Sequence, residues 1–121
     1  MRYIMLIYSR ESPAMHSEED RRELRASHTK VMREAKQKGV FIGAEPLAPT
    51  SSATTVRVEN GKPLVTDGPF AETKEQLAGY YILDCANLDE AIDWAAKIPT
   101  SCKGGAGCIE IRPMPGLPPL D

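Results

Sequence analysis

The chain has 121 residues, 41% of them hydrophobic and 26% charged, which suits a single domain with its own core. With 15 basic against 17 acidic residues, nothing favours direct binding to nucleic acid or to an anionic membrane. No apolar run approaches the roughly 20 residues of a membrane span. The apolar start of the chain lacks a cleavage site, so we expect a cytoplasmic protein.

Three cysteines, Cys85, Cys102 and Cys108, are an odd number for a disulfide framework. Cys102 and Cys108 flank a glycine-rich segment and could form a redox pair or half a zinc site. A zinc site needs closer pairs and four ligands, and only His16 and His28 are available besides. We therefore expect no metal and no cofactor.

The first half of the chain predicts a strand, a helix and a second strand. Residues 2–8 form the first strand. Ser17 caps a helix with acidic residues in its first turn, and Gly39 ends it after two lysines, an order that suits the helix dipole. Residues 41–47 form the second strand, closed by prolines.

The middle of the chain predicts a hairpin. Residues 53–59 alternate between apolar and charged side chains, and residues 63–66 form the return strand. Between them lies Asn60-Gly61, a strong hairpin signal.

The second half predicts a long strand over residues 77–85, a helix from Asn87 to Pro99 and a last strand over residues 108–112. Residues 113–121 are proline-rich and predict an extended C-terminal arm.

Two helices threaded through a mostly antiparallel sheet predict a ferredoxin-like α+β fold of the βαβββαβ type, with both helices on one face. Two helices cover only one face, yet strand 2–8 and the segment Tyr80–Leu83 are apolar on both sides. The second face needs a cover, and a second copy is the economical one. We therefore expect a homodimer.

The most distinctive segment is Val65–Tyr81, which contains Asp67-Gly-Pro-Phe70. It closely resembles the signature of the DGPF branch of the YCII-related family, and the resemblance extends along nearly the whole chain. It implies a dimeric α+β barrel with clefts between the sheet, the first helix and the partner.

His28 is the first candidate catalytic residue. It lies on the apolar stripe of the first helix with Leu24 and Ala35, and so points toward the sheet rather than to the face of Arg22 and Arg25. A histidine there could be a general base. The alternative is a structural histidine bonded to a carbonyl or a buried water.

The resemblance implies a particular role for this histidine. YCII-like proteins carry a histidine eleven residues before the glycine that ends helix one, as His28 precedes Gly39. They pair it with an aspartate before Pro-Phe near the end of helix two, where this chain has Ile98. The dyad is therefore incomplete in its usual form.

Asp67 is the second candidate catalytic residue, as a carboxylate that orients His28 or acts as the base. The alternative is an Asx turn that holds the Gly68-Pro69 corner. Phe70 is expected to anchor in the core.

Three further residues are candidates for ligand binding. Tyr80 and Tyr81 point to opposite faces of their strand, so one hydroxyl is expected to reach the cleft. Lys74 lies in a polar run that is either a solvated loop or a lid over an anionic ligand.

Two functions from different classes follow. The first is a small-molecule binding protein or enzyme that uses His28 and Asp67 for proton abstraction or elimination. The second is a non-catalytic regulatory partner, because DGPF-type domains are often associated with extracytoplasmic-function sigma factors. A heme-type or cofactor-free monooxygenase is a third reading, from fold analogy alone.

Overall fold

The computed structural model describes residues 1–11, 17–100 and 107–120 as an α+β protein. The elements follow one another as β1 (Arg2–Ser9), α1 (Glu18–Gln37), β2 (Phe41–Pro46), β3 (Thr54–Glu59), β4 (Lys62–Asp67), β5 (Gln76–Asp84), α2 (Leu88–Ala95) and β6 (Gly107–Met114). A short 3-10 helix, Thr50–Ser52, precedes β3. No helix in the described ranges is long and apolar enough to cross a membrane.

The predicted helix boundaries follow from local chemistry. The Ser17 hydroxyl accepts from the amide of Asp20 at 3.1 Å, and Asn87 caps α2 by accepting from Glu90 at 2.9 Å. Gly39 ends the first helical segment with φ +76°, a conformation that favours glycine. The second helix is shorter than predicted, since its regular part ends at Ala95.

Four strands form the main sheet in the order β2-β5-β1-β6, with every pair antiparallel. This order is compatible with a ferredoxin-like layout, but the chain has four strands between its two helices, one more than the predicted βαβββαβ order. Both helices pack on one face, where they share a core with the alternate residues of the central strands. That core comprises Tyr3, Met5, Ile7, Val31, Ala35, Tyr81, Leu83, Cys85, Ala91, Trp94 and Ile98.

The β3–β4 hairpin does not join the main sheet, and this corrects the prediction of one continuous sheet. It is a separate two-stranded sheet. Pro46 is the last residue of β2 and Pro49 follows it before β3, and a proline cannot donate a hydrogen bond to a neighbouring strand. The predicted turn is confirmed: Asn60 and Gly61 have φ 50° and 75°, the positive values that a type I′ hairpin requires. Elsewhere, β6 pairs as far as Met114, so any extended arm begins after it rather than at Pro113.

Phe70 is 79% exposed, so the expectation that it anchors in the core is wrong. The reason is the hairpin, which carries the chain into the Gly68-Pro69 corner away from the main sheet. Trp94, the single tryptophan of the chain, is a core residue of α2, and the Lys97 ammonium lies 4.7 Å from the centroid of one of its rings.

Candidate active site cleft

A cleft of about 410 Å³ lies between α1 and the end of the sheet formed by β1, β2 and β5. Ligand pockets typically enclose about 300–1,000 Å³. We call it the His28 cleft, because His28 is among its walls. Its apolar walls include Ile7, Leu24, Met32 and Ala44, and its polar ones include Arg10, Arg25, Thr29 and Tyr81.

His28 points toward the sheet, as its place in the apolar stripe predicted, and it meets Tyr81 there. Its Nδ1 lies 2.8 Å from the Tyr81 hydroxyl oxygen, and the rings are tilted, with centroids 5.8 Å apart. The same hydroxyl donates to the backbone carbonyl of His28 at 3.3 Å. Both contacts tie the middle of α1 to the centre of β5.

Burial sets the protonation of both groups. It lowers the pKa of His28, because a charged imidazole loses hydration in this half-buried position. Burial raises the pKa of Tyr81 to about 12, and this side chain is only 2% exposed. Around neutral pH the pair is therefore a neutral imidazole beside a neutral phenol.

The wall formed by β2 depends on Gly79. A Cβ at this position would lie 2.8 Å from the carbonyl oxygen of Glu45 and 3.2 Å from the Cα of Pro46. The backbone of β2 can approach β5 this closely only because position 79 has no side chain.

Asp67 lies apart from this cleft. It is the last residue of β4, its side chain is exposed, and within residues 1–11, 17–100 and 107–120 it forms no hydrogen bond or ion pair with His28. Nor does its carboxylate form the alternative Asx turn in those ranges. The Gly68 amide donates to the carbonyl of Ala53 at 2.7 Å, and the Thr55 hydroxyl donates to the carbonyl of Gly68 at 2.7 Å.

The two other ligand-binding candidates differ in position. Tyr80 borders the His28 cleft, but its side chain faces away from the helices, because its neighbour Tyr81 is buried beneath them and successive side chains of a strand alternate. Lys74 is exposed in the loop before β5 and lines neither the His28 cleft nor the neighbouring one described next. Among the described residues, no three His, Cys, Asp or Glu side chains are grouped to hold a metal ion. Cys102 and His16 lie outside the described residues.

A second, more open cleft of about 690 Å³ adjoins the first, and both share Ser9 and Arg10. Glu11 connects two walls of this second cleft, because its carboxylate oxygens accept hydrogen bonds from the amide and hydroxyl of Thr50 at 2.8 and 2.7 Å. The Glu11 amide donates to the side-chain carbonyl of Gln76 at 2.8 Å. The segment after the DGPF turn is therefore fixed to the end of β1.

Arg10 and Arg25 are the site residues that the sequence reasoning missed. Arg25 is exposed, as its place on the solvated face of α1 predicts, and it also lines the cleft, three residues before His28. Residues three apart on a helix are neighbours, and this spacing could have indicated it. For Arg10 no comparable signal exists, since its place depends on how the end of β1 meets α1.

Fold and site together define an α+β protein with an antiparallel sheet covered on one face by two helices. A cleft that contains His28 and Tyr81 lies between the first helix and this sheet. The model of the YCII-related domain matches residues 1–115 of the chain. An uncharacterized protein of Rhizobium meliloti (strain 1021) is 42% identical over 116 residues, which cover 94% of this chain and 92% of that protein. The chain therefore belongs to the YCII-related family.

Proposed function

We propose that the protein binds a small molecule in the His28 cleft and that His28 accepts a proton from it. The observation that carries this proposal is the 2.8 Å contact between His28 Nδ1 and the Tyr81 hydroxyl oxygen inside the cleft. This contact holds the imidazole ring in one orientation at the wall of the cleft.

One arrangement of protons satisfies both contacts of the pair. The Tyr81 hydroxyl has a single proton, and it donates this proton to the His28 carbonyl. Nδ1–H of His28 then donates to the hydroxyl oxygen, and Nε2 keeps its lone pair. In this tautomer His28 is a base, and Tyr81 is the positioning residue that fixes the ring.

The chemistry that follows is proton abstraction, with elimination as its extension. The proton moves from a C–H or O–H group of the ligand to Nε2, and the imidazole becomes an imidazolium. In an elimination, the electron pair of the broken C–H bond forms a double bond while a leaving group departs from the neighbouring carbon. The lowered pKa of His28 keeps the ring neutral and available at neutral pH.

A catalytic role for Asp67 requires a second copy of the chain. Within one chain the geometry favours Tyr81 as the partner of His28, since Asp67 is exposed at the end of the hairpin. A carboxylate from the partner's hairpin could approach the cleft in a dimer.

The open face of the main sheet supports such a homodimer and the dimeric barrel. Apolar side chains that alternate with the core residues lie on this face without helix cover, and all are half-buried: Ile4, Leu6, Tyr80 and Ile82. We expect sedimentation velocity to find a dimer of 13.3 kDa chains. Leu6→Glu should give a folded monomer, whereas Ile92→Glu on the exposed side of α2 should leave the dimer intact. A wild-type monomer would refute the dimer.

A thermal-shift screen against small phenols, keto acids and other organic anions tests the proposed function. We expect compounds that raise the melting temperature of the wild type but not of His28→Gln. Tyr81→Phe should bind them more weakly, because the ring of His28 is then free to turn. Equal shifts for the wild type and His28→Gln would place binding elsewhere and refute the proposal.

A protein partner is the second candidate function, and the exposed apolar residues of the hairpin favour it. Val56, Val58 and Val65 are 58%, 70% and 66% exposed, and such patches are typical of interaction surfaces. An extracytoplasmic-function sigma factor is the partner that the family resemblance implies. Co-elution with such a factor that is lost in Val65→Lys would support it, and separate elution would count against it.

A further inference from the structure

We infer that the ligand of the His28 cleft is a small organic acid with an apolar body, whose carboxylate binds to Arg10 and Arg25. This inference rests on the proposed function and adds the substrate class. It follows from the distribution of charge and apolar surface in the cleft.

The two arginines come from different walls. Arg25 belongs to α1, one turn before His28, and Arg10 follows the end of β1. Neither guanidinium forms an ion pair with a carboxylate in the described part of the chain. Glu11, the acid nearest to Arg10 in sequence, has both oxygens engaged by Thr50.

Other titratable groups at the cleft do not cancel this positive charge. His28 and Tyr81 are neutral at neutral pH, for the reason given above. Glu45 also borders the cleft, but it pairs with Tyr80 in the sheet register. Because residues directly opposite each other share a face, the Glu45 side chain points to the open face with Tyr80.

The remaining walls suit an apolar body. Ile7, Leu24, Met32 and Ala44 line the cleft, and methionine adapts to ligands of different shape. With roughly 30 Å³ for each water-sized group, a cleft of about 410 Å³ has room for on the order of ten non-hydrogen atoms. A guanidinium binds a carboxylate through two parallel hydrogen bonds, which would fix the acid with its body toward His28.

Benzoate and benzamide are suitable probes, because they have nearly the same shape and differ in charge. Binding is measured by calorimetry and by the NMR signals of the His28 ring. We expect benzoate to bind and to shift these signals. Arg10→Gln and Arg25→Gln should each weaken benzoate by about tenfold, and high salt should weaken it too.

Two controls isolate the charge effect. Arg33→Gln removes an exposed arginine of α1 that lines neither cleft, and it should bind benzoate like the wild type. Benzamide has no charge, so it should bind more weakly than benzoate. Its affinity should be the same in all three arginine variants as in the wild type. Thermal melts verify that each variant is folded.

The outcomes separate the two proposals. Suppose that both probes bind equally well, that the arginine substitutions leave their affinities unchanged and that His28→Gln abolishes binding. The cleft then remains a binding site, and the acid specificity is refuted. If neither probe binds the wild type at millimolar concentration, both the acid specificity and its placement in this cleft are refuted. Benzoate binding that depends on both arginines and on His28 supports the acid specificity and the placement of the binding site in this cleft.

Discussion

The His28 cleft and the Asp67 turn each contain a side chain that can take up a proton, but the two side chains have different surroundings in the structure. In the cleft, a histidine and a phenol are buried against each other and hold a fixed 2.8 Å contact. At the turn, an exposed carboxylate lies beside a corner held by one backbone amide and a threonine hydroxyl. A distinctive sequence motif therefore does not by itself give a side chain a fixed partner, whereas burial against a neighbouring strand does so for His28.

The largest effect should come from Gly79→Ala, which attacks the wall of the cleft. The new Cβ would meet the Glu45 carbonyl at 2.8 Å, and backbone cannot move aside cheaply. We expect a loss of about 2 kcal/mol in the free energy of unfolding, measured with urea. Gly43→Ala is the control, since a Cβ there meets nothing within 4 Å. Equal stability of the two variants would contradict the close approach of β2 to β5.

Tyr81→Phe should have the next largest effect, because it removes the hydroxyl and keeps the ring. Loss of its hydrogen bonds inside the core should lower the free energy of unfolding by about 1 kcal/mol. Tyr8→Phe is the matched control. Its hydroxyl donates to Glu110 at 3.2 Å on the exposed surface, so only a few tenths of a kcal/mol, roughly, should be lost. A larger loss of stability for Tyr8→Phe than for Tyr81→Phe would contradict the expectation that the buried contact contributes more than the exposed one.

A smaller effect should appear in the dependence of stability on pH. Burial lowers the pKa of His28 in the folded state, so the unfolded chain binds the proton more readily. The stability that depends on neutral His28 is therefore complete above the unfolded pKa of about 6.5 and is lost as the pH falls toward the folded value. Urea unfolding between mildly acidic and neutral pH should show a slope that His28→Gln reduces. An unchanged slope would mean that the ring is solvated.

The smallest effect should come from Asp67→Asn. Because the Asp67 side chain is exposed and forms no bond to His28, the substitution should change the free energy of unfolding by less than about 0.5 kcal/mol. An NMR titration should give the same His28 pKa as in the wild type. If the pKa of His28 changes, Asp67 lies close to a His28 cleft, and the cleft of a partner copy is the one to examine.

Features set by local chemistry were predictable from the sequence. The caps at Ser17 and Asn87, the helix end at Gly39 and the turn at Asn60-Gly61 each depend on a few neighbouring residues. The orientation of His28 followed from helical periodicity, since it needed only the apolar stripe of one helix. These features therefore did not require knowledge of the sheet.

Features set by distant pairing were not predictable in the same way. The partner of His28 is 53 positions away in the sequence, and alternation alone left Tyr80 and Tyr81 equivalent until the strand register was known. The separation of the β3–β4 hairpin, and with it the exposure of Phe70, depends on which strands pair. Arg10 became a site residue only through the meeting of β1 with α1.

The position of Trp94 has a practical consequence for such experiments. As the single indole, buried in α2 under the Lys97 ammonium and outside both clefts, it gives the protein one fluorescent reporter of core integrity. Its emission should shift to the red when the helices leave the sheet, and should stay nearly constant when a ligand occupies the His28 cleft. One optical signal can thus distinguish a variant that has lost its fold from one that has lost only its ligand.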